Sequence, residues 1–513
     1  MKRLTVFAAL MFAACGSQKP AESSLPPGYV TLATFTADVD TAAGTFVFRT
    51  DPVTSNGASG PGHMAFVEPT EVTVASSAAW SNVSTEKGCG LVPTWGASVT
   101  VTNKIASPTS IGGVYAEITA FAGPAGTTAC NAVANTARPA GMSNSLGLWT
   151  YGTLLPATGA ASVSWAFNYT SGAKFSFSGR IVGVKVTSYA ALPPSTRTAG
   201  NMAPYGSYMV YGAPSGTTAT IVYANASTGV LDSQVTVPSN VLTGVAGDAT
   251  NSRVWFLSES SSTGPGYVGV VADPGHVVSS ATDDNAAPFN VIIDPRDKTL
   301  AWFINQAVAP AGYIRSARYT PGSPGTIALS PTKTSLASYP QYMAMGLNNN
   351  LYVANGASGI TEYTTSAVTG VATWSKDYPS GVNCNGAAAL MWVPSTSTLW
   401  VAANTSGYVC SVTISGTGGT ATWTAVAPMP SGSFNVRDLA WAPSGRAAPH
   451  DYAVWAANLA NNTVMRVDPD SSVGYTITMP VASGAFMGPQ EIALSTIGEI
   501  WTSNNARIFR MVP

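Results

Sequence analysis

The stretch Pro340-Gln-Tyr-Met-Ala-Met345, with Leu351-Tyr-Val-Ala-Asn355 and Gly359-Ile-Thr-Glu-Tyr363 after it, holds three short apolar runs separated by polar residues. Runs of this length read as strands. The middle run carries an aromatic residue, and the same mark returns in Val254-Trp-Phe, Ala301-Trp-Phe, Leu399-Trp-Val, Val454-Trp-Ala and Ile500-Trp-Thr. From Trp255 through Trp302, Tyr352, Trp400 and Trp455 to Trp501 the intervals are 47, 50, 48, 55 and 46 residues. Spacing this even is an internal repeat. A strand precedes each mark, as in Val291-Ile-Ile293, Leu439-Ala-Trp441 and Ile492-Ala-Leu494, and another follows it, as in Tyr313-Ile-Arg315 and Val464-Met-Arg-Val467. A second series, Trp374 and Trp423, is set 49 residues apart.

A four-stranded sheet of 45 to 50 residues cannot bury both its faces alone, and radial stacking of such sheets gives a β-propeller. Tyr208–Tyr211, Ala219–Tyr223 and Gln234–Val237 form an earlier partial repeat, which makes seven blades; six with a spare hairpin is the competing count. Only three strands of the last repeat precede Pro513, so either a strand from Thr196–Tyr211 closes the ring or the ring stays open.

Before the repeats, Tyr29-Val-Thr-Leu-Ala-Thr-Phe35, Glu71-Val-Thr-Val-Ala75, Ala97-Ser-Val-Thr-Val-Thr102 and Ser162-Val-Ser-Trp-Ala-Phe-Asn-Tyr169 alternate with period two. Strands with one buried face follow, and an Ig-like β-sandwich is the natural container. Ala166–Arg180 reads as a hairpin turning at Thr170-Ser-Gly-Ala173. The chain is therefore read as all-β: sandwich over 29–190, linker over 191–203 and propeller over 204–513.

Lys2 and Arg3 precede an apolar run ending at Ala14, too short to span a bilayer, and the pattern is that of a signal peptide over 1–14. Phe12-Ala-Ala-Cys15-Gly-Ser resembles a bacterial lipobox, with Phe12 where Leu is usual, and the polar stretch after Cys15 to residue 28 reads as a tether. These features predict an exported lipoprotein, held at the outer membrane or cell surface by lipid on Cys15. Four other cysteines remain, and only Cys89–Cys130 with Cys384–Cys410 keeps each bridge inside one domain. A thiolate zinc site would need C-x-x-C spacing, which the chain lacks. Only 9% of residues are charged and the net charge is −1, so there is no basic field for nucleic acid.

The phrases from Pro340 to Tyr363 and Pro489-Gln-Glu-Ile-Ala-Leu494 with Gly498-Glu-Ile-Trp501 and Arg507-Ile-Phe-Arg510 resemble blades of the NHL-repeat and virginiamycin B lyase-like propellers. The resemblance covers about 208 to 513 and implies the propeller fold. Its members include a magnesium-dependent lyase, sugar-acid lactonases and binding propellers. The lyase implies a catalytic His and acids gathered with a metal at the channel mouth. Here the repeats hold only His276, in a Pro-Gly-His turn, and His450, in the insertion 445–452, and both read as solvated.

Aligning the repeats places Gly244, Asn290, Tyr342, Ala389, Asp438 and Glu491 just before the innermost strands, with Gln341, Arg437 and Gln490 preceding three of them. Such positions open on the central channel, so Asn290, Tyr342, Arg437, Asp438, Gln490 and Glu491 are the candidate ligand contacts. Gly244 and Ala389 are expected to leave room beside them. Asp438, Glu491 and Asn290 are the candidate holders of a hard cation, Ca or Mg, although no cofactor is required. Asp38-Val-Asp-Thr-Ala-Ala-Gly44, Asp468-Pro-Asp470 and Asp283-Asp-Asn285 read as turns and loops. The reading that follows is a surface-anchored propeller that binds a protein or glycan without catalysis. A metal-dependent lyase or lactonase-like enzyme and a purely structural envelope component are the alternatives.

Overall fold

The structure is a computed structural model. It describes residues 25, 29–40, 42–43, 45–51, 71–76, 89, 94–106, 109–123, 127–133, 142, 145–157, 159–168, 174–190, 202–215, 218–238, 241–259, 265–283, 287–306, 312–336, 340, 342–428, 435–443, 452–460, 463–469, 474–478, 491–503 and 507–512. Cys15 and the segment read as a signal peptide lie outside the described residues. Among those described, no helix is long and apolar enough to cross a membrane. The architecture is all-β.

The first strands are β1 (Val30–Asp40), β2 (Thr45–Asp51), β3 (Val72–Ser76), β4 (Thr94–Asn103), β5 (Thr109–Ala122), β6 (Thr128–Ala129), β7 (Gly147–Leu154), β8 (Ala160–Asn168) and β9 (Lys174–Ala190). They form two sheets: β2-β1-β9-β5-β7 and β3-β4-β8-β6. Alternation turns Phe35, Ala37 and Val39 of β1 inward, against Trp165, Phe167 and Phe177. Trp149 stacks on Trp165 with ring centroids 4.2 Å apart, and Trp165 Nε1 donates to Tyr151 Oη at 2.9 Å, which keeps the indole's polar edge satisfied inside the core. Cys89 is bonded to Cys130, with Cα atoms 4.9 Å apart.

The hairpin expected over Ala166–Arg180 is not formed. β8 pairs with β4 and β6, whereas β9 pairs with β1 and β5. Phe167 instead meets Phe177 across the core, ring centroids 5.2 Å apart and planes tilted by 32°. An alternating pattern marks a half-buried strand equally well whether its successor lies beside it or opposite it.

From Met202 onward six antiparallel sheets follow one another, each with its four strands paired in chain order, the third carrying an extra short strand at Thr334–Ser335. We number these blades 1 to 6; a last group of three strands is Glu491–Leu494, Ile500–Ser503 and Arg507–Val512. The first strand of each blade packs beside that of the next, and Met202–Tyr205 lies against Glu491–Leu494, the first strand of the last group. This is the arrangement of a β-propeller about a central channel. The aromatic marks all fall on second strands and are 0 to 3% exposed, because each fills the space between two sheets.

The closing strand differs from expectation. Arg507–Val512 pairs with β9, from Arg507 opposite Ala190 to Val512 opposite Lys185. Met202–Tyr205 and Tyr208–Tyr211 pair with each other in blade 1, so none of the described residues of Thr196–Tyr211 pairs with Arg507–Val512. At 17 residues β9 is long enough for two tasks: Lys174–Gly183 pairs with β1, Lys185–Ala190 pairs with the last strand on the same edge, and β5 lies along the opposite edge. One apolar cluster, including Val182, Val184, Val186, Trp455, Ile492, Ile500 and Phe509, spans both parts of the chain. The expected linker therefore overlaps blade 1 at Met202, and 191–201 lies outside the described residues.

Candidate functional site at the channel mouth

Within each inner strand one residue faces the aromatic mark: Ala246, Ile292, Ala344, Met391, Ala440 and Ala493. Two residues earlier stand Gly244, Asn290, Tyr342, Ala389, Asp438 and Glu491; five of them pair opposite the second residue after the mark, whereas Asn290 is the extra residue of a bulge and Phe289 takes the paired place. They lie inside the inner strands rather than just before them. Four of these strands carry a bulge, between Leu242/Gly244, Phe289/Val291, Ala387/Ala389 and Val436/Asp438. The extra residues are Thr243, Asn290, Ala388 and Arg437, and Asn290 sits in left-handed backbone at φ 50°.

Three of the candidates, Tyr342, Asp438 and Glu491, form one hydrogen-bonded group. Tyr342 Oη donates to Asp438 Oδ1 at 2.6 Å, the Leu439 N–H donates to the same oxygen at 2.8 Å, and the Ile492 N–H donates to Oδ2 at 3.1 Å. Glu491 hydrogen-bonds the Asp438 carboxylate. Asn290 Oδ1 accepts from the Met343 N–H at 3.1 Å, which ties blade 3 to the strand bearing Tyr342. Asp438 thus fastens blade 4, blade 6 and the last group of strands at one point.

Asp438 is 6% exposed and Glu491 8%. Burial pushes the Asp438 carboxyl up to about 6, against the pull of its hydrogen bonds to Tyr342, Ile492 and Leu439. Burial and the negative charge of Asp438 push Glu491 well above the usual carboxylate range. Burial and mutual repulsion thus favour protonated forms of the pair over two ionised carboxylates. Burial, with the two acids beside it, also raises the Tyr342 hydroxyl well above its ordinary value, so it stays a donor.

Arg437 is exposed, and its positive charge pulls the pKa of Glu491 down, against the larger effects of burial and Asp438. Gln341 and Gln490 lie outside the described residues. The room expected beside Gly244 is filled: a Cβ there would meet Leu257 Cδ1 at 3.1 Å and the Val291 nitrogen at 3.3 Å. Ala389 is fully buried as well. Among the described residues no three His, Cys, Asp or Glu are grouped to hold a metal. A hard cation on Asp438 would have to displace the Tyr342 hydroxyl and the proton of Glu491, while two backbone N–H groups already point at its oxygens.

The other sequence candidates are scattered. Asp40 Oδ1 caps the Ala42 and Ala43 N–H groups at 3.1 and 3.0 Å, the work of a turn. His276 Nδ1 lies 2.7 Å from Asp273 Oδ1, and Asp273 Oδ2 accepts from Tyr205 Oη at 2.5 Å, at the junction of blades 1 and 2. His450 is outside the described residues. Asp468 pairs with Arg466 at 2.6 Å, both buried. Asp283 is not the solvated loop residue its neighbours suggested: it is fully buried and accepts from Asn305 Nδ2, Tyr313 Oη and Arg315 Nη1 at 2.8, 2.7 and 2.5 Å. Cys384 and Cys410 are bonded, Cα atoms 6.2 Å apart, joining the loop before the inner strand of blade 5 to its third strand, as the sequence predicts.

Sequence reasoning missed Glu362 altogether. Its carboxylate is fully buried in blade 4 and accepts from Asn350 Nδ2 at 2.7 Å, Tyr378 Oη at 2.7 Å, Gly418 N at 2.8 Å, Tyr352 Oη at 3.1 Å and Ser375 Oγ at 3.3 Å. Burial alone would raise its pKa, but the donors together hold it below the usual range. The only hint was a charge set between core-facing residues of an apolar strand.

Fold and site together define a β-propeller whose inner strands bring an acid pair to the channel. No family model matches the chain, and no curated protein matches it in sequence. Among solved structures it is similar to a streptogramin B lyase, at 14% identity and a TM-score of 0.48, over 64% of this chain and 97% of that one. It is also similar to the β-propeller domain of Cps50 (Swd1) from Myceliophteria thermophila, at 9% identity and a TM-score of 0.45, over 63% of this chain and 99% of that one.

Proposed function

We propose that this chain is a binding propeller of the bacterial envelope, exported, anchored through lipid on Cys15, and engaging a protein or glycan at the channel mouth without catalysing a reaction. The observation that supports it is the saturation of Asp438. Its oxygens are already taken by Tyr342, two backbone N–H groups and Glu491, so the acid pair shapes and stiffens the mouth. Arg437, raised on its bulge and exposed beside the pair, is the contact it offers a partner. The two disulfides fit an oxidising compartment.

Glycan and protein arrays probed with the wild type and with Arg437→Ala test this reading: signal on one ligand class, lost in the variant, supports it. Equal signal for both proteins sinks the mouth as the binding surface. The enzymatic alternative makes a different prediction, a rise in melting temperature with Ca²⁺ or Mg²⁺ that vanishes in Asp438→Asn and Glu491→Gln. For the anchor, Cys15→Ser should release the protein into the soluble fraction, and retention on the membrane would contradict it.

A further inference from the structure

We infer that the N-terminal unit is the latch of the propeller: the second half of β9 is the fourth strand of a seventh blade, and the ring closes only while the sandwich that owns β9 is folded. The proposal does not depend on what the mouth binds.

Three observations carry it. The last three strands have no fourth partner within the repeats, and Lys185–Ala190 supplies it in unbroken register with Arg507–Val512. The inner strands of the first and last groups lie side by side, Met202–Tyr205 against Glu491–Leu494, and side chains from both, Met202, Met209, Ala493 and Trp501 among them, share one buried cluster. That is the seam at which the ring shuts. Finally, β9 does not end as a loose strap. Its first half is an inner member of the sandwich sheet, between β1 and β5, and Val182, Val184 and Val186 run without a break into the core shared with Phe509 and Met511.

A strap of six residues could peel from a sheet edge by local opening. Here peeling requires pulling apart the sandwich sheet as well, so seam and sandwich open together. The same continuous sheet, from β9 through Arg507–Val512 and Ile500–Ser503 to Glu491–Leu494, holds Glu491 at the channel. The N-terminal unit is therefore a structural partner of the mouth, although no residue of it lines the mouth in the hydrogen-bonded group described.

Two measurements on the full chain test the latch. In hydrogen exchange, amides of Lys185–Ala190 and Arg507–Val512 should exchange together and roughly tenfold more slowly than those of the outermost strand of blade 1, Leu231–Val237, which has no neighbour beyond it. Exchange of Lys185–Ala190 as fast as that edge strand, while β1 stays protected, would refute it. Separately, a protease site inserted within 191–200 allows the folded chain to be cut between the two units. Both pieces should then elute together in native buffer and part only in denaturant; pieces that separate in native buffer overturn the proposal.

Discussion

Two buried acidic centres in this propeller differ in sign. Glu362 is a single carboxylate met by five donors, and it is held ionised, below its ordinary pKa. Asp438 and Glu491 are two carboxylates with three donors from Tyr342, Leu439 and Ile492, and both are raised. Desolvation weighs more heavily on the pair, and the pair also has fewer donors per acid, so both differences push the outcome the same way. Where donors exceed the need of one anion, desolvation is overruled; where acids outnumber the charge the donors can hold, one acid keeps its proton. The first centre is internal to blade 4 and its contact with blade 5, and the second lies on the channel.

The sharpest way to break this contrast is Glu362→Ala. It strands buried donors on Asn350, Tyr352, Tyr378 and Gly418, and the expected loss is about 3 to 5 kcal/mol in denaturant unfolding. A loss below about 1 kcal/mol would mean that solvent replaces the carboxylate easily. Asp438→Ala should cost less, about 2 to 3 kcal/mol, because a buried charge leaves with the side chain even as Tyr342 and two N–H groups lose their acceptor. Tyr342→Phe removes a single hydrogen bond to a charged acceptor, and about 1 to 2 kcal/mol should be lost.

The smallest expected effect, and the one with the clearest sign, is in pH dependence. Glu362 has a lowered folded pKa, so its stabilisation is present above its unfolded value of 4.5 and is lost as pH falls through the folded one. The mouth pair has raised folded pKa values. Its contribution is full below the unfolded values of 3.8 and 4.5 and is lost as pH rises through about 6 for Asp438 and through the raised value of Glu491. Glu491→Gln keeps a donor for Asp438 but cannot ionise. Between pH 5 and 8 its unfolding free energy should fall less with pH than that of the wild type; parallel curves would show that the pair does not titrate as the geometry requires.

Much of this was legible in the chain. The marks from Trp255 to Trp501 repeat because each second strand must fill the same gap between sheets, and that constraint writes a period into the sequence. Counting back from the marks put Tyr342, Asp438 and Glu491 on paired positions of one kind, while Asn290 fell on a bulge that the count does not see. Pairing across long distance was not legible. The residues of β9 alternate in the same way whether the neighbour is β1, β5 or a strand more than 300 residues later, since backbone hydrogen bonds carry no side-chain signature. Asp283 and Glu362 failed for a different reason. An acid reads as solvated until its donors are known, and those donors come from other strands.

The bulges of the inner strands have a consequence for how such a protein can change. Thr243, Asn290, Ala388 and Arg437 are each the supernumerary residue of a ladder, opposite no partner. Exchanging Thr243, Ala388 or Arg437 leaves the pairing register of its blade untouched, whereas Asn290 is buried and bonded to the Met343 N–H, and a Cβ at Gly244 would crowd Leu257 and the Val291 nitrogen. Variation is thereby channelled to sites along the rim of the pore, and a lineage carrying this scaffold can retune what its rim displays one residue at a time while the rest of the fold stays under the same packing constraints.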